Sequence, residues 1–316
     1  MKKISLIVPC YNEEACLMLF DQEVFKIIQQ MEGFQFEVIY IDDGSKDGTL
    51  LQIRKLAEKR TFVRYLSFSR NFGKEAAMYA GFVNATGDYV AVMDADMQDP
   101  PALLIEMVQI LEREGYDSVA TRRVDRKGEP PVRSFFAKLF YRLMNKISDI
   151  DIVDGARDYR LMKREMVDVI VEMSERNRFS KGIYGWIGFR TYWISFQNVE
   201  RVAGETKWSF WKLLKYSVEG IVSFSQIPLY IASWIGIGCT GASVLAIFAI
   251  VIRKIIWEDS VQGWASNMCV IIFLGGIQLF CLGIMGRYIG KTYTEAKKRP
   301  HYIVREKSDD TINKIG

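Results

Sequence analysis

Residues 89–101 read YVAVMDADMQDPP. The run opens with five apolar residues, Tyr89 to Met93, and then places Asp94, Asp96, Gln98 and Asp99 within six positions before a proline pair. The first part is a short apolar segment rich in β-branched and aromatic residues, which predicts a buried strand. The prolines predict the opening of a helix. Carboxylates at the end of a buried strand are costly unless something binds them. Asp94 and Asp96 are two residues apart, so in extended chain their side chains point the same way. Two carboxylates side by side repel unless a cation lies between them. That pattern predicts a hard divalent cation, Mg²⁺ or Mn²⁺, with Gln98 adding a neutral oxygen. The alternative is a pair of solvated turn and N-cap acids.

Outward from this stretch, the first 125 or so residues alternate strand and helix. Segments 4–10, 36–43, 62–69, 89–94 and 118–122 read as strands, with helical stretches at 48–60, 74–84 and 101–114 between them. Such alternation predicts an α/β fold, a mostly parallel Rossmann-like sheet covered on both faces. Ligands of such sheets sit at the carboxyl ends of the strands. Asp42 and Asp43 fall after the second predicted strand, and Asp94 and Asp96 after the fourth. Further segments at the same edge suit a nucleoside diphosphate. Tyr11 offers stacking and Glu13 hydrogen bonds; Asp43 offers an acceptor to a base or ribose. Arg70, Gly73 and Lys74 open a helix, where backbone N–H groups and a cation favour phosphate.

Composition excludes several classes. The 316 residues carry a net charge of +4 with 25% charged residues, too balanced for a nucleic-acid binder. One histidine, His301, leaves no room for a His-dependent triad or a His-rich zinc site. The five cysteines show no paired spacing and read as small hydrophobes in a reducing compartment. The N-terminal apolar run is too short for a signal peptide and meets Glu13 and Glu14 at once.

The second half changes character. Residues 220–252 and 260–286 contain no Asp, Glu, Lys or Arg, and a bilayer span needs about 20 apolar residues. Segments 229–252 and 264–289 therefore predict two transmembrane helices; the competing reading is a buried hairpin of a soluble protein. Glycines 275, 276, 283 and 286 allow close packing in the second helix and permit a homo-oligomer. Residues 132–147 and 207–222 each space apolar residues along one helical face, with Lys138, Arg142 and Lys146, or Lys212 and Lys215, on another. Basic amphipathic helices with Trp and Phe lie in membrane interfaces. The lysines and arginines of these helices and of the tail flank the spans on one side. The positive-inside rule then predicts a multi-pass protein of the plasma membrane with its large domain in the cytoplasm. The expected organisation is a catalytic domain over 1–206, a juxtamembrane helix over 207–228, two spans within 229–289 and a cytoplasmic tail over 290–316.

Six strings occur in order along nearly the whole chain: IVPCYNEE, IDDGSKDGT, SRNFGKE, DADMQDPP, DYRLM and RVAGETKW. With two spans following, the chain resembles the family 2 glycosyltransferases, and among them the polyprenyl-phosphate glycosyltransferases, which include dolichyl-phosphate mannose synthases and bacterial undecaprenyl-phosphate glucosyltransferases. The resemblance implies a GT-A fold. It implies that Pro9, Tyr11, Glu13 and Asp43 hold the nucleotide and that Asp94, Asp96 and Gln98 hold metal and diphosphate. Asp158 matches the acid near the acceptor, and its competing reading is an ion pair with Arg157 or Arg160. Arg122, Arg201 and Lys207 match basic positions for the lipid phosphate or donor diphosphate. The chain lacks the Gln-x-x-Arg-Trp string of the processive synthases, which implies one sugar per cycle. The expected reaction is inverting transfer of one sugar from a nucleotide sugar, UDP-glucose by preference, to undecaprenyl phosphate for cell-envelope glycan. UDP-N-acetylglucosamine, GDP-mannose, another lipid acceptor, or a non-catalytic nucleotide-sugar-binding scaffold are the alternatives. A transporter is disfavoured, since uncharged spans offer no ion path.

Overall fold

A computed structural model describes residues 1–124, 153, 155–196, 222, 225–257 and 263–308. The segment at 132–147, Arg201, Lys207 and most of 207–228 lie outside the described residues, so the two interfacial helices and two of the predicted phosphate cations have no structural account.

The chain divides into two units, one formed by 1–217 with 299–316 and the other by 218–298. The first opens with β1 (Lys2–Cys10), α1 (Leu17–Gln30), β2 (Phe34–Asp42), α2 (Thr49–Lys59), β3 (Val63–Phe68), α3 (Lys74–Asn84) and β4 (Tyr89–Val92). It continues with α4 (Leu103–Arg113), β5 (Ser118–Arg123), β6 (Ala156–Lys163), α5 (Arg164–Glu172), α6 (Ser180–Trp186) and β7 (Thr191–Phe196). A last strand, β8 (Val304–Lys307), follows the second unit. The eight strands form one sheet in the order β7-β5-β6-β4-β1-β2-β3-β8. Its centre, β3-β2-β1-β4, is parallel, as the alternating pattern predicts. β6 runs antiparallel between β4 and β5, and β8 antiparallel on β3.

Alternation along the strands sends side chains to two faces. Leu6, Val8, Val38, Tyr40 and Ala91 pack on the face covered by α1, α2 and α4, a core that also takes Phe20, Leu104 and Met107. α3 covers the other face, packing on β1 and β2. A methyl group at Gly81 would stand 2.2 Å from the Ile7 side chain, so the missing side chain lets α3 lie close to the sheet. The chain winds outward from β1 through β2 and β3, then returns to β4 on the opposite side of β1. This reversal makes the switch point where α/β sheets bind ligands.

The second unit holds α7 (Ile227–Trp257) and α8 (Trp264–Ala296). Both are long and apolar enough to cross a membrane over Ile227–Ile250 and Val270–Ala296. They pack on each other: the Tyr288 hydroxyl donates to the Ser225 carbonyl at 2.6 Å. Leu245, Phe273 and Leu279 are 71, 66 and 72% exposed. A buried hairpin of a soluble protein would cover these side chains.

Candidate active site

β1, β2 and β4 end together at the switch point, and three loops converge there. After β1, the Asn12 amide donates to Ser45 Oγ and its side-chain oxygen accepts from the Lys46 amide, tying this loop to the one after β2. Asn12 has φ 54° and, between Asp96 and Gln98, Met97 has φ 61°. Non-glycine residues in this region carry strain that the surrounding structure must hold, and such strain clusters at functional sites. Gly44, with φ +69°, lies so close to Arg70 and Asn71 that a Cβ there would meet backbone at 2.5–2.9 Å. Only glycine fits this approach.

Asp43 explains why the loop before α3 comes so near. Its buried carboxylate accepts from the Phe72 and Gly73 amides at 2.6 and 2.9 Å. Burial pushes its carboxyl up to about 6, against the pull of those two amides. Asp42 is equally buried but structural, accepting from the Ser45 amide and Ser67 Oγ. The backbone donors expected to meet phosphate at the head of α3 are thus partly spent, since Phe72 and Gly73 give theirs to Asp43.

Lys74 makes the central contact. Its ammonium lies 2.7 Å from the Asp94 carboxylate and also donates to Asp158. Asp94 comes from the end of β4 and Asp158 from β6, so one cation of α3 gathers acids from two antiparallel neighbours. Burial pushes the Asp158 carboxyl up, but Lys74, Lys181 and Arg157 more than cancel this and hold it well below the usual carboxylate range. Burial likewise opposes the Lys74 charge, and Asp158 and Asp94 outweigh it, so its pKa rises.

Asp158 is ion-paired, but with Lys74 rather than with Arg157 or Arg160. Successive residues of β6 face opposite ways. Arg157 points toward the loop after β4 and makes two bonds to the fully buried Asp99, at 2.9 and 3.3 Å. Arg160 shares the Asp158 face but is buried further along, where it bonds Ser118 and Thr191 hydroxyls and lies over the Tyr184 and Trp193 rings.

The remaining predicted residues are distributed as follows. Asp96 is buried and accepts from the Gln98 amide at 3.1 Å. The Gln98 side-chain oxygen faces Arg157 at 3.4 Å rather than the Asp94 carboxylate. Pro9 pairs in register with Ile41 near the end of β1. Tyr11 and Glu13 follow that strand, half-buried, and Glu13 accepts from the Cys16 thiol at 3.2 Å. Arg122 lies near the end of β5, where its Nε donates to Ser195 Oγ at 2.9 Å. Among the described residues, no group of three or more His, Cys, Asp or Glu converges as a complete metal cage. Two strand-end carboxylates still fit Mg²⁺ or Mn²⁺, which bind through one or two carboxylates and take the rest of their shell from phosphates and water.

Two contacts at the site cannot be read from the sequence. Glu75, beside Lys74, accepts from the amide and hydroxyl of Ser180 at the head of α6. The next residue, Lys181, donates to the Ala156 carbonyl at 2.8 Å, on the strand that carries Asp158. The only sequence signal is the string FSKG, whose charge says nothing of a partner 25 residues earlier.

A doubly wound sheet with acids gathered at its switch point defines an α/β enzyme of the GT-A kind. The model of glycosyl transferase family 2 matches residues 5–171. A prophage bactoprenol glucosyl transferase homolog of Escherichia coli is 42% identical over 96% of this chain and 98% of its own. The bactoprenol glucosyl transferase of Shigella phage SfX is 40% identical over 96% of this chain and 99% of its own. Among solved structures, a glucosyl-3-phosphoglycerate synthase from Mycobacterium tuberculosis, in complex with Mn²⁺, UDP-glucose and phosphoglyceric acid, is 19% identical. It covers 70% of this chain and 78% of that one, with TM-score 0.45. The chain belongs to glycosyl transferase family 2 and is a glycosyltransferase.

Proposed function

We propose that this enzyme transfers one glucose, with inversion, from UDP-glucose to undecaprenyl phosphate at the inner face of a plasma membrane. The observation that carries the reading is the meeting of Asp94 and Asp158 on Lys74, in a chain that goes on to form two membrane-length apolar helices. The relatives named for bactoprenol glucosyl transfer, matched over almost their whole length, support glucose and a polyprenyl acceptor.

In this reading Pro9, Tyr11, Glu13 and Asp43 surround the nucleotide, and Asp94 and Asp96 face the diphosphate, with Gln98 behind them. Asp94 and Asp96 would hold a divalent cation there, which would neutralise charge on the departing diphosphate. A phosphate oxygen of the acceptor forms the new bond to the anomeric carbon as the bond from that carbon to the diphosphate oxygen breaks. The electron pair leaves with UDP. The acceptor needs little help in losing a proton, since a phosphate monoester has its second pKa near 6. Asp158, held below the usual carboxylate range, is a poor base for that proton. Its role is to fix Lys74 and orient the acceptor. Arg122, Arg201 and Lys207 would supply positive charge to the acceptor phosphate.

The test is a panel of UDP- and GDP-sugars with undecaprenyl phosphate and Mg²⁺ or Mn²⁺, read as acceptor-dependent nucleotide release. UDP-glucose should exceed UDP-N-acetylglucosamine and GDP-mannose by at least tenfold in kcat/KM. Preference for another donor overturns the glucose assignment. Release that ignores the lipid phosphate overturns the acceptor.

A further inference from the structure

Asp94 is asked to do two things. It is a candidate ligand for a divalent cation, and it lies 2.7 Å from the Lys74 ammonium. An ammonium and a metal ion cannot both sit on the same side of one carboxylate, because like charges at such range repel strongly. Protein packs around the pair on most sides, but the Lys74 side chain is 40% exposed and the Asp94 side chain 21%, so one side is open to solvent and the pair can separate. Asp158 offers the ammonium a second carboxylate on which to remain when it leaves Asp94. The helix that carries Lys74 is anchored one residue later through Glu75 to Ser180, so only the lysine side chain need move.

We propose that Lys74 is an internal competitor of the metal ion: it occupies Asp94 and gives it up only to a cation that arrives with a diphosphate. A lone divalent cation must displace the ammonium without compensation. A metal–diphosphate brings anionic oxygens that receive the ammonium as it leaves Asp94. Metal and nucleotide therefore bind together, and Lys74 is a positioning residue that sets this order. The inference rests on the nucleotide-sugar reading above.

The experiment measures Mn²⁺ affinity of the full-length protein in detergent by electron paramagnetic resonance, with and without UDP. Removing a unit positive charge beside a divalent site predicts nucleotide-free Mn²⁺ binding about tenfold tighter in Lys74→Met than in the wild type. The advantage of adding UDP should shrink by a similar factor. An equal or weaker nucleotide-free affinity in folded Lys74→Met overturns the proposal. Asp158→Asn provides a second arm that keeps the lysine. There the ammonium has Asp94 alone, so nucleotide-free Mn²⁺ should bind no more tightly than in the wild type, and tighter binding contradicts the proposal. Wild-type protein that shows no UDP-dependent gain in Mn²⁺ affinity would instead strike at the nucleotide-sugar reading.

Discussion

Asp158 and Asp43 show how environment divides the labour of similar side chains. Lys74 opposes the burial of Asp158 and keeps it ionised, whereas burial wins at Asp43 and lifts it to about 6. In the proposed reaction Asp158 positions the acceptor, so Asp158→Asn should lower kcat/KM by about tenfold. Loss of a general base costs 10²–10⁴-fold. A fall of a thousandfold, with a pH profile that loses its acidic limb, would restore the base role. Asp43 gives a pH prediction with two opposite signs. Its folded pKa lies above the unfolded value of about 3.9, so its contribution to stability is greatest below pH ~4 and is lost as pH rises through about 6. Nucleotide binding that uses the ionised carboxylate runs the other way. Between pH 7.5 and 5, UDP affinity should fall about tenfold more in the wild type than in Asp43→Asn. Parallel pH profiles from the two proteins would remove Asp43 from the nucleotide site. The sequence displays each of these acids but not its partner. Lys74 is 84 residues from Asp158, and nothing local to either distinguishes an ion pair from two solvated charges.

At the scale of elements, the strands of the parallel centre are legible because each is a continuous apolar run. Tyr89 to Met93 needs no context to be read as buried. β8 is illegible for the opposite reason. Its sequence VREK alternates half-buried and exposed, in a charged tail that follows the apolar helices. It becomes a strand only through distant partners: Glu306 accepts from Arg54 and from the Tyr65 hydroxyl, and the Ser69 amide donates to Ile303. Tyr302 stacks on Phe68 at 4.9 Å, and His301 lies 4.7 Å from the Tyr79 ring of α3. The exposed ion pair adds little; the ring contacts and the covering of an edge strand add more. Deleting 299–316 should lower the melting temperature of the sheet-bearing unit by roughly 5–10 °C and promote aggregation through the exposed edge of β3. An unchanged melting curve would mean that the tail strand contributes nothing to the fold.

For the whole molecule, the chain leaves the sheet-bearing unit after β7, forms the helical pair, and returns to the same sheet as β8. Two membrane crossings satisfy that return; an odd number does not. The charge asymmetry of the sequence carries the same expectation, domain and tail on one side. Fold class and the two long apolar helices were therefore readable from hydrophobic pattern, whereas the site required the third dimension to show which acid meets which cation. The proposed reaction joins a sugar to a lipid phosphate at this site. Its most direct measurement is the lipid product itself: purified enzyme with UDP-[¹⁴C]glucose, undecaprenyl phosphate and Mg²⁺ or Mn²⁺, followed by extraction and chromatography of the lipid. The account predicts a single product carrying one glucose per lipid phosphate, abolished by EDTA and by Asp96→Ala. Folded enzyme that binds UDP yet leaves the lipid unlabelled would contradict it.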